Sequence, residues 1–411
     1  MMLSGTLKRT LSLYGAQVLN LLLGWAIAKF NVTYLTVAEY GQFTFFITVV
    51  NSIFIFFTFG IFESSSRLIA LSERDTDYRK LLAGSISLAF FSYLIFTAVL
   101  FFTRGLIDRI FSVEISHLIE MFFPLAGIYL FYDLWQKNLR GAEKIYQLSW
   151  LVTGPRLIYL ISLVILALLN LFNLYSSLFT NLLSLLIVVL YFFFSNKPDF
   201  SQLTASLRKI RNEIRTFGIH MYWGELINAF LYQVDKLLIA FFLDAEQLAY
   251  YSLAFTITLP LSLFSTSLST SLYRRFSQIR KIDKKVVYLN LIWVVLSILV
   301  FIILRKWIIL HLFSEKYMES LKVFVILAIA FGIGGISKIF TYFLMAKGAG
   351  RIIKNVAIIT LSIDLILNII LIPRYGILGS AIARFTSHFF DLVFLIFFYY
   401  KNLSNNTTLN L

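Results

Sequence analysis

The chain has no cysteine, only five prolines and just 21 acidic residues among 411. The first absence excludes disulfide frameworks, thiol nucleophiles and cysteine-ligated metals. Charged residues of either sign make up 14% of the sequence, whereas soluble domains carry roughly 25%. A chain so poor in charge cannot cover a soluble fold of this length with polar surface. The four histidines, His117, His220, His311 and His388, stand far apart, without the spacing of a metal site. A Gly-rich phosphate loop, a serine nucleophile elbow and a paired-histidine zinc motif are all missing. No cofactor is therefore expected, and an enzyme would have to work without any recognisable catalytic centre.

Hydrophobic residues fill that space. They make up 59% of the chain, 43 of them Phe, and the mean hydropathy is +0.82. A helix of ~20 apolar residues crosses a hydrocarbon core ~30 Å thick. The expected fold is thus an all-α polytopic membrane protein of about twelve transmembrane helices. Spans are expected near residues 11–31, 41–62, 81–103, 118–136, 147–170, 173–195, 217–243, 250–273, 286–304, 321–345, 353–372 and 377–400. Pro155 and Pro260 fall inside spans, where a missing N–H and a ring clash kink a helix.

A net charge of +15 would suit nucleic acid only if a soluble basic face displayed it. Here the basic residues lie between spans, so no nucleic-acid partner is expected. With both termini cytoplasmic, 24 Lys and Arg fall on inside segments and seven on outside ones. That asymmetry sets the orientation by the positive-inside rule, and membrane lipids are the expected surroundings.

An internal repeat organises the spans. Sliding the chain by 207 places Arg140, Gly141, Ala142 and Lys144 on Lys347, Gly348, Ala349 and Arg351. The same offset puts Lys29 on Lys236, Ala38 and Glu39 on Ala245 and Glu246, and Lys8 on Arg215. Two six-span halves are expected, 1–207 and 208–411, as parallel repeats of the kind that rock about a central site. Lys8, Arg9 and the Ala-Ile-Ala at 26–28 imitate a cleavable signal peptide, but the repeat requires that first span to stay. Between the halves, Leu203, Leu207, Ile210, Ile214 and Phe217 alternate at four and three residues. They define an amphipathic helix over about 200–216, suited to the anionic cytoplasmic leaflet.

Charge inside a span costs at least about 2.5 kcal/mol, so it normally faces a polar cavity or a partner. The candidates are Lys29, Arg156, Glu225, Asp235, Lys236, Lys338, Asp364, Arg384 and Asp391. Glu225, Asn228, Tyr232 and Asp235 fall at i, i+3, i+7 and i+10, one face of a helix. Arg384, His388 and Asp391 form a second stripe; Gln17, Asn20 and Gly24, then Thr44, Thr48 and Asn51, form uncharged ones. Glu63 and Arg67, four residues apart, are expected to pair with each other.

The stretches GAQVLNLLLGWAIAKF, AEYGQFTFF, RGAEK and VDKLLIAFFLDAEQLAYYSLAFTITLPLSLFSTSLSTSLYRRFS carry a resemblance. With the span count and loop lengths, the chain resembles the polysaccharide-transporter branch of the multidrug/oligosaccharidyl-lipid/polysaccharide exporter superfamily, which includes the bacterial O-antigen flippases. The resemblance implies a V-shaped fold of two six-helix bundles around a cationic cavity. It also implies an undecaprenyl-diphosphate-linked oligosaccharide as substrate, the bacterial inner membrane as location, and a polysaccharide polymerase and chain-length proteins as partners. An Arg fork suits a diphosphate.

On that footing Arg384 and Lys236, then Arg156, Lys29 and His388, are the expected substrate contacts, with Asn228, Tyr232, Gln17, Asn20 and Asn51 lining the cavity. Asp235, Glu225, Asp391 and Asp364 would balance charge or carry a coupling proton; proton and sodium gradients both stay open. One departure stands out: acidic residues within the spans are about as frequent as basic ones. A drug or cation exporter of the same fold is the competing reading. A polymerase is disfavoured by short outside loops, near 104–117 and 305–320.

Overall fold

A computed structural model describes residues 19–72 and 75–404, except the side chains of residues 228, 231, 274 and 402–404. All regular structure among the described residues is helical. In a bilayer this follows from the backbone, since a helix satisfies its own N–H and C=O groups where no water can.

The first described helix, α1, covers residues 19–34 and is followed by α2 (Val37–Phe54). Next come α3 (Ile61–Ala70), α4 (Asp75–Ile110), α5 (Ser116–Ala126) and α6 (Ile128–Gly141). They lead to α7 (Ile145–Leu168), α8 (Leu174–Asn196), the short α9 (Leu203–Glu213) and α10 (Ile219–Phe242). The chain ends with α11 (Ala245–Thr258), α12 (Leu263–Gln278), α13 (Lys284–Trp307), α14 (Leu321–Ala346), α15 (Gly350–Tyr375) and α16 (Ile377–Ser404).

Nine stretches among the described residues are long and apolar enough to cross a membrane, and the bent pair α5 and α6 makes a tenth. The two other expected spans correspond to α1, the expected span beginning outside the described residues, and to α10. Charge rather than length sets α10 apart, because Glu225, Asp235 and Lys236 all fall within its 24 residues. Leu289, Ile292, Leu296 and Ile303 on α13 are exposed, as a lipid-facing helix requires.

The prolines act unequally. Pro260 opens a 3₁₀ turn, Leu259–Ser262, which separates α11 from α12. Pro155 lies inside α7, which runs through it as one helix. A bend of 40° between α5 and α6 follows Pro124, which the span pattern did not single out.

The molecule divides into two compact units, Met1–Gln233 and Val234–Leu411. The expected repeat boundary at 207 and the packing boundary differ because α9 and the start of α10 are held by the first unit. The apolar face of α9 lies on α3 and α4, with Ile210 buried and Arg208, Lys209, Arg211 and Arg215 turned outward. The connecting helix therefore packs the Ile210 side of its apolar face on protein. Arg67 pairs with Glu213 at 2.6 Å and stacks over Phe217, so the expected Glu63–Arg67 pair is not formed.

Gly60 sets this arrangement. Its φ of +69° ends the turn after α2, and a Cβ there would stand 2.4 Å from the carbonyl oxygen of Gly218. Only glycine permits both that backbone conformation and that approach. Asn138, fully buried, then joins three helices of this unit: its Nδ2 donates to Ser85 Oγ at 3.0 Å, and Ser65 Oγ donates to its Oδ1 at 2.7 Å.

The repeated phrase is out of register with the geometry. After α6, Glu143 adopts φ +53°, Glu143 N donates to Arg140 O, and Lys144 N donates to Leu139 O. After α14, Gly348 adopts φ +75°, Gly348 N donates to Met345 O, and Ala349 N donates to Leu344 O. Both are Schellman turns, and the left-handed residues Glu143 and Gly348 lie 205 positions apart rather than 207. Earlier in each unit the helix caps correspond differently. Thr36 accepts from Glu39 N before α2 and Asp244 accepts from Gln247 N before α11, an offset of 208. Loop-length changes between these points account for the fragmentary sequence repeat.

Candidate functional site

In the second unit the chain buries a charge network. Asp235 on α10, Asp364 and Asn368 on α15 and Tyr251 on α11 are all fully buried, and Arg384 on α16 is 5% exposed. Arg384 Nε donates to Asp235 Oδ2 at 2.8 Å, and Nη2 lies 3.8 Å from Asp364 Oδ2. Asn368 Nδ2 donates to Asp235 Oδ1 at 3.1 Å and to the backbone oxygen of Asp364 at 2.9 Å. Tyr251 Oη donates to Asp235 Oδ2. Spacing of four along α15 puts Asp364 and Asn368 on one face, so a single helix presents both to α10 and α16.

This geometry corrects the expected role of Arg384. Its guanidinium is enclosed between two carboxylates of its own unit and is not open to a substrate head group. The stripe of Arg384, His388 and Asp391 also separates: the His388 ring lies 5.9 Å from the Phe331 ring, while Asp391 faces Ser337 and Lys338. Lys236 is half-buried, its ammonium 5.1 Å from the centre of the Phe255 ring.

The other expected stripe divides as well. Glu225 pairs with Lys137 inside the first unit, Tyr232 is 55% exposed and Asp235 is fully buried in the second. The side chain of Asn228, like Gln17 as a whole, lies outside the described residues. In the first unit Lys137 on α6 donates to Glu63 on α3 at 2.8 Å and also to Glu225 on α10. Carboxylate oxygens of Glu63, Asp133 and Glu225 all lie within 4.8 Å of one another.

The remaining candidates are separate. Arg156 has an exposed side chain whose Nη1 donates to Asn20 O at 2.6 Å. Asn20 is buried and donates through Nδ2 to Thr153 Oγ1 at 3.3 Å. Lys29 is exposed, and Asn51 Nδ2 donates to Ile47 O of its own helix at 2.8 Å. Sequence reasoning missed Asn368, Tyr251, Asp133 and Lys137. The i, i+4 pairs Asp133–Lys137 and Asp364–Asn368 were the available signal.

These features define a multi-pass helical membrane protein, and its fold is shared with solved transporters. It matches a lipid II flippase, MurJ, in an inward closed conformation, with a TM-score of 0.74 and 16% identity over 94% of this chain and 86% of that one. An inward-facing multidrug resistance transporter of the MATE family matches with a TM-score of 0.73 and 12% identity, over 95% and 96% of the two chains. In sequence the chain is 22% identical over 401 residues to the "Putative O-antigen transporter" of Shigella flexneri, covering 89% of this chain and 90% of that protein. The family model described as "Polysaccharide biosynthesis protein" matches residues 6–280. The chain belongs to the polysaccharide biosynthesis protein family.

Proposed function

We propose that the chain is a flippase for an undecaprenyl-diphosphate-linked oligosaccharide. It carries an O-antigen or similar surface-polysaccharide repeat unit across the bacterial cytoplasmic membrane by alternating access. The family match over residues 6–280 carries this reading. Two likenesses support it: the name of the Shigella flexneri relative, and the fold shared with a lipid II flippase. Both termini are cytoplasmic by the 24-to-seven distribution of basic residues. A polysaccharide polymerase and chain-length proteins take up the product outside. No covalent chemistry is assigned to the chain.

A diphosphate entering a low-dielectric interior needs compensating positive charge. Of the basic span residues, Arg156 and Lys29 are exposed, whereas Arg384 is enclosed by acids. Arg156 and Lys29 are accordingly assigned to the head group, with Lys236 in a lesser role. Arg384 instead serves as the fixed counter-ion of Asp235 and Asp364.

Deleting the gene in its host should abolish surface polysaccharide, and re-expression should restore it. Arg156→Ala should cut export about tenfold at matched protein level and Arg156→Lys should retain part, since charge without the fork keeps some affinity. Unaltered surface polysaccharide after deletion, accompanied by new drug sensitivity, would replace the reading with export of a cationic small molecule.

A further inference from the structure

The first unit contains a charge imbalance that the transport reading does not use. Glu63, Asp133 and Glu225 bring three carboxylates around the single ammonium of Lys137. Glu63 is 7% exposed; its Oε1 accepts from Lys137, while its Oε2 is buried and has no hydrogen-bond partner. Asp133 Oδ2 is likewise buried and unpartnered. An unpaired carboxylate oxygen in such a place is costly when ionised and much less so when it shares a proton.

The charged neighbours do not remove the excess. On α3 the next cation, Arg67, is bound to Glu213 of α9. On α6 Arg140 adds one positive charge in range of Asp133. Tyr132, also on α6, is neutral, as is Tyr222 on α10, whose hydroxyl donates to Phe56 O. On α4, Ser85 is bound to Asn138. Three acids against Lys137 and Arg140 leave one negative charge to be neutralised. Lys137 touches Glu63 and Glu225 at once and so fills the cation position between them, which a metal ion could occupy only by displacing it. A proton adds to a carboxylate oxygen without displacing anything.

We infer that Glu63, Asp133 and Glu225, with Lys137 as their built-in cation, form a proton-binding site in the first unit that takes up and releases one proton. The proton comes from water and forms an O–H bond on one of the three carboxylates. Because Glu225 lies on α10 while Glu63 and Asp133 lie on α3 and α6, its occupancy decides how firmly α10 is held to those helices. The inference does not depend on what the protein carries.

The test uses the full-length protein in lipid nanodiscs, followed by infrared difference spectroscopy of the carboxylic C=O stretch between pH 8 and pH 5. The wild type should gain a protonated-carboxyl band that shifts in D₂O and is indifferent to replacing potassium by sodium. Asp133→Asn and Glu63→Gln should each lose at least half of it. Lys137→Met keeps all three acids without their ammonium and should hold more protonated carboxyl at pH 8 than the wild type. An undiminished band in both acid variants, or in whichever of them folds, would overturn the site. So would a Lys137→Met spectrum identical to the wild type, or a band abolished by sodium, which would make this a metal site.

Discussion

The two units each bury one basic side chain among acids, and they do so with different degrees of closure. In the second, Arg384 bonds the fully buried Asp235 and lies 3.8 Å from the fully buried Asp364, whose own carboxylate oxygens have no hydrogen-bond partner, while Asn368 and Tyr251 satisfy the oxygens of Asp235. In the first, Lys137 bonds Glu63 and Glu225 beside Asp133, and Asp133 and Glu225 are only half-buried. A planar guanidinium can bond two acids at fixed angles, whereas an ammonium is a point charge that leaves geometry open. The closed network holds α10, α15 and α16 together. The open cluster has room to gain and lose a proton. Similar side chains thus serve a structural purpose in one unit and a titrating one in the other.

Substitutions can break that contrast. Arg384→Ala strands Asp235 and Asp364 in a dry interior and should cost about 3–5 kcal/mol, read as a large loss of thermal stability in nanodiscs. Arg384→Met combined with Asp235→Asn should recover most of it. Gly60→Ala should cost about 3 kcal/mol, from strain at positive φ and collision with Gly218. Lys137→Met should cost about 2 kcal/mol near neutral pH. Its deficit should shrink towards pH 5, because protons neutralise the acids left behind; an equal deficit at both pH values would make the first cluster as closed as the second. The smallest effects belong to the paired turns. Gly348→Ala, at φ +75° in open space, should lose about 1 kcal/mol, and Glu143→Gly, at φ +53°, should gain about 0.5–1 kcal/mol.

Much of the architecture was legible in the sequence because hydrophobic runs and the bias of Lys and Arg are direct consequences of the bilayer. The contents of the sites were less so. Helix periodicity puts Glu225 and Asp235 towards one side of α10, but it carries no information on which packing unit each end of that helix joins. Asp364 and Arg384 could be singled out as charges too costly to leave unpaired; that they pair with Asp235 depends on how α10, α15 and α16 meet. Asp133 and Lys137 escaped notice because their grouping with Glu63 and Glu225 depends on how α3, α6 and α10 meet. The repeat was visible through Gly-Ala, yet its register was displaced by two residues, since the left-handed position falls on Glu143 in one turn and on Gly348 in the other.

The flippase reading itself is tested most directly by reconstitution. Proteoliposomes are loaded with an undecaprenyl-diphosphate oligosaccharide from the host, and its exposure to an external lectin is followed over time. Protein-dependent exposure, slowed about tenfold in Arg156→Ala and kept in a folded control variant at a distant lipid-facing position such as Ile303→Leu, is the predicted result. Exposure no faster than in protein-free vesicles, from protein that is folded and correctly inserted, would contradict it.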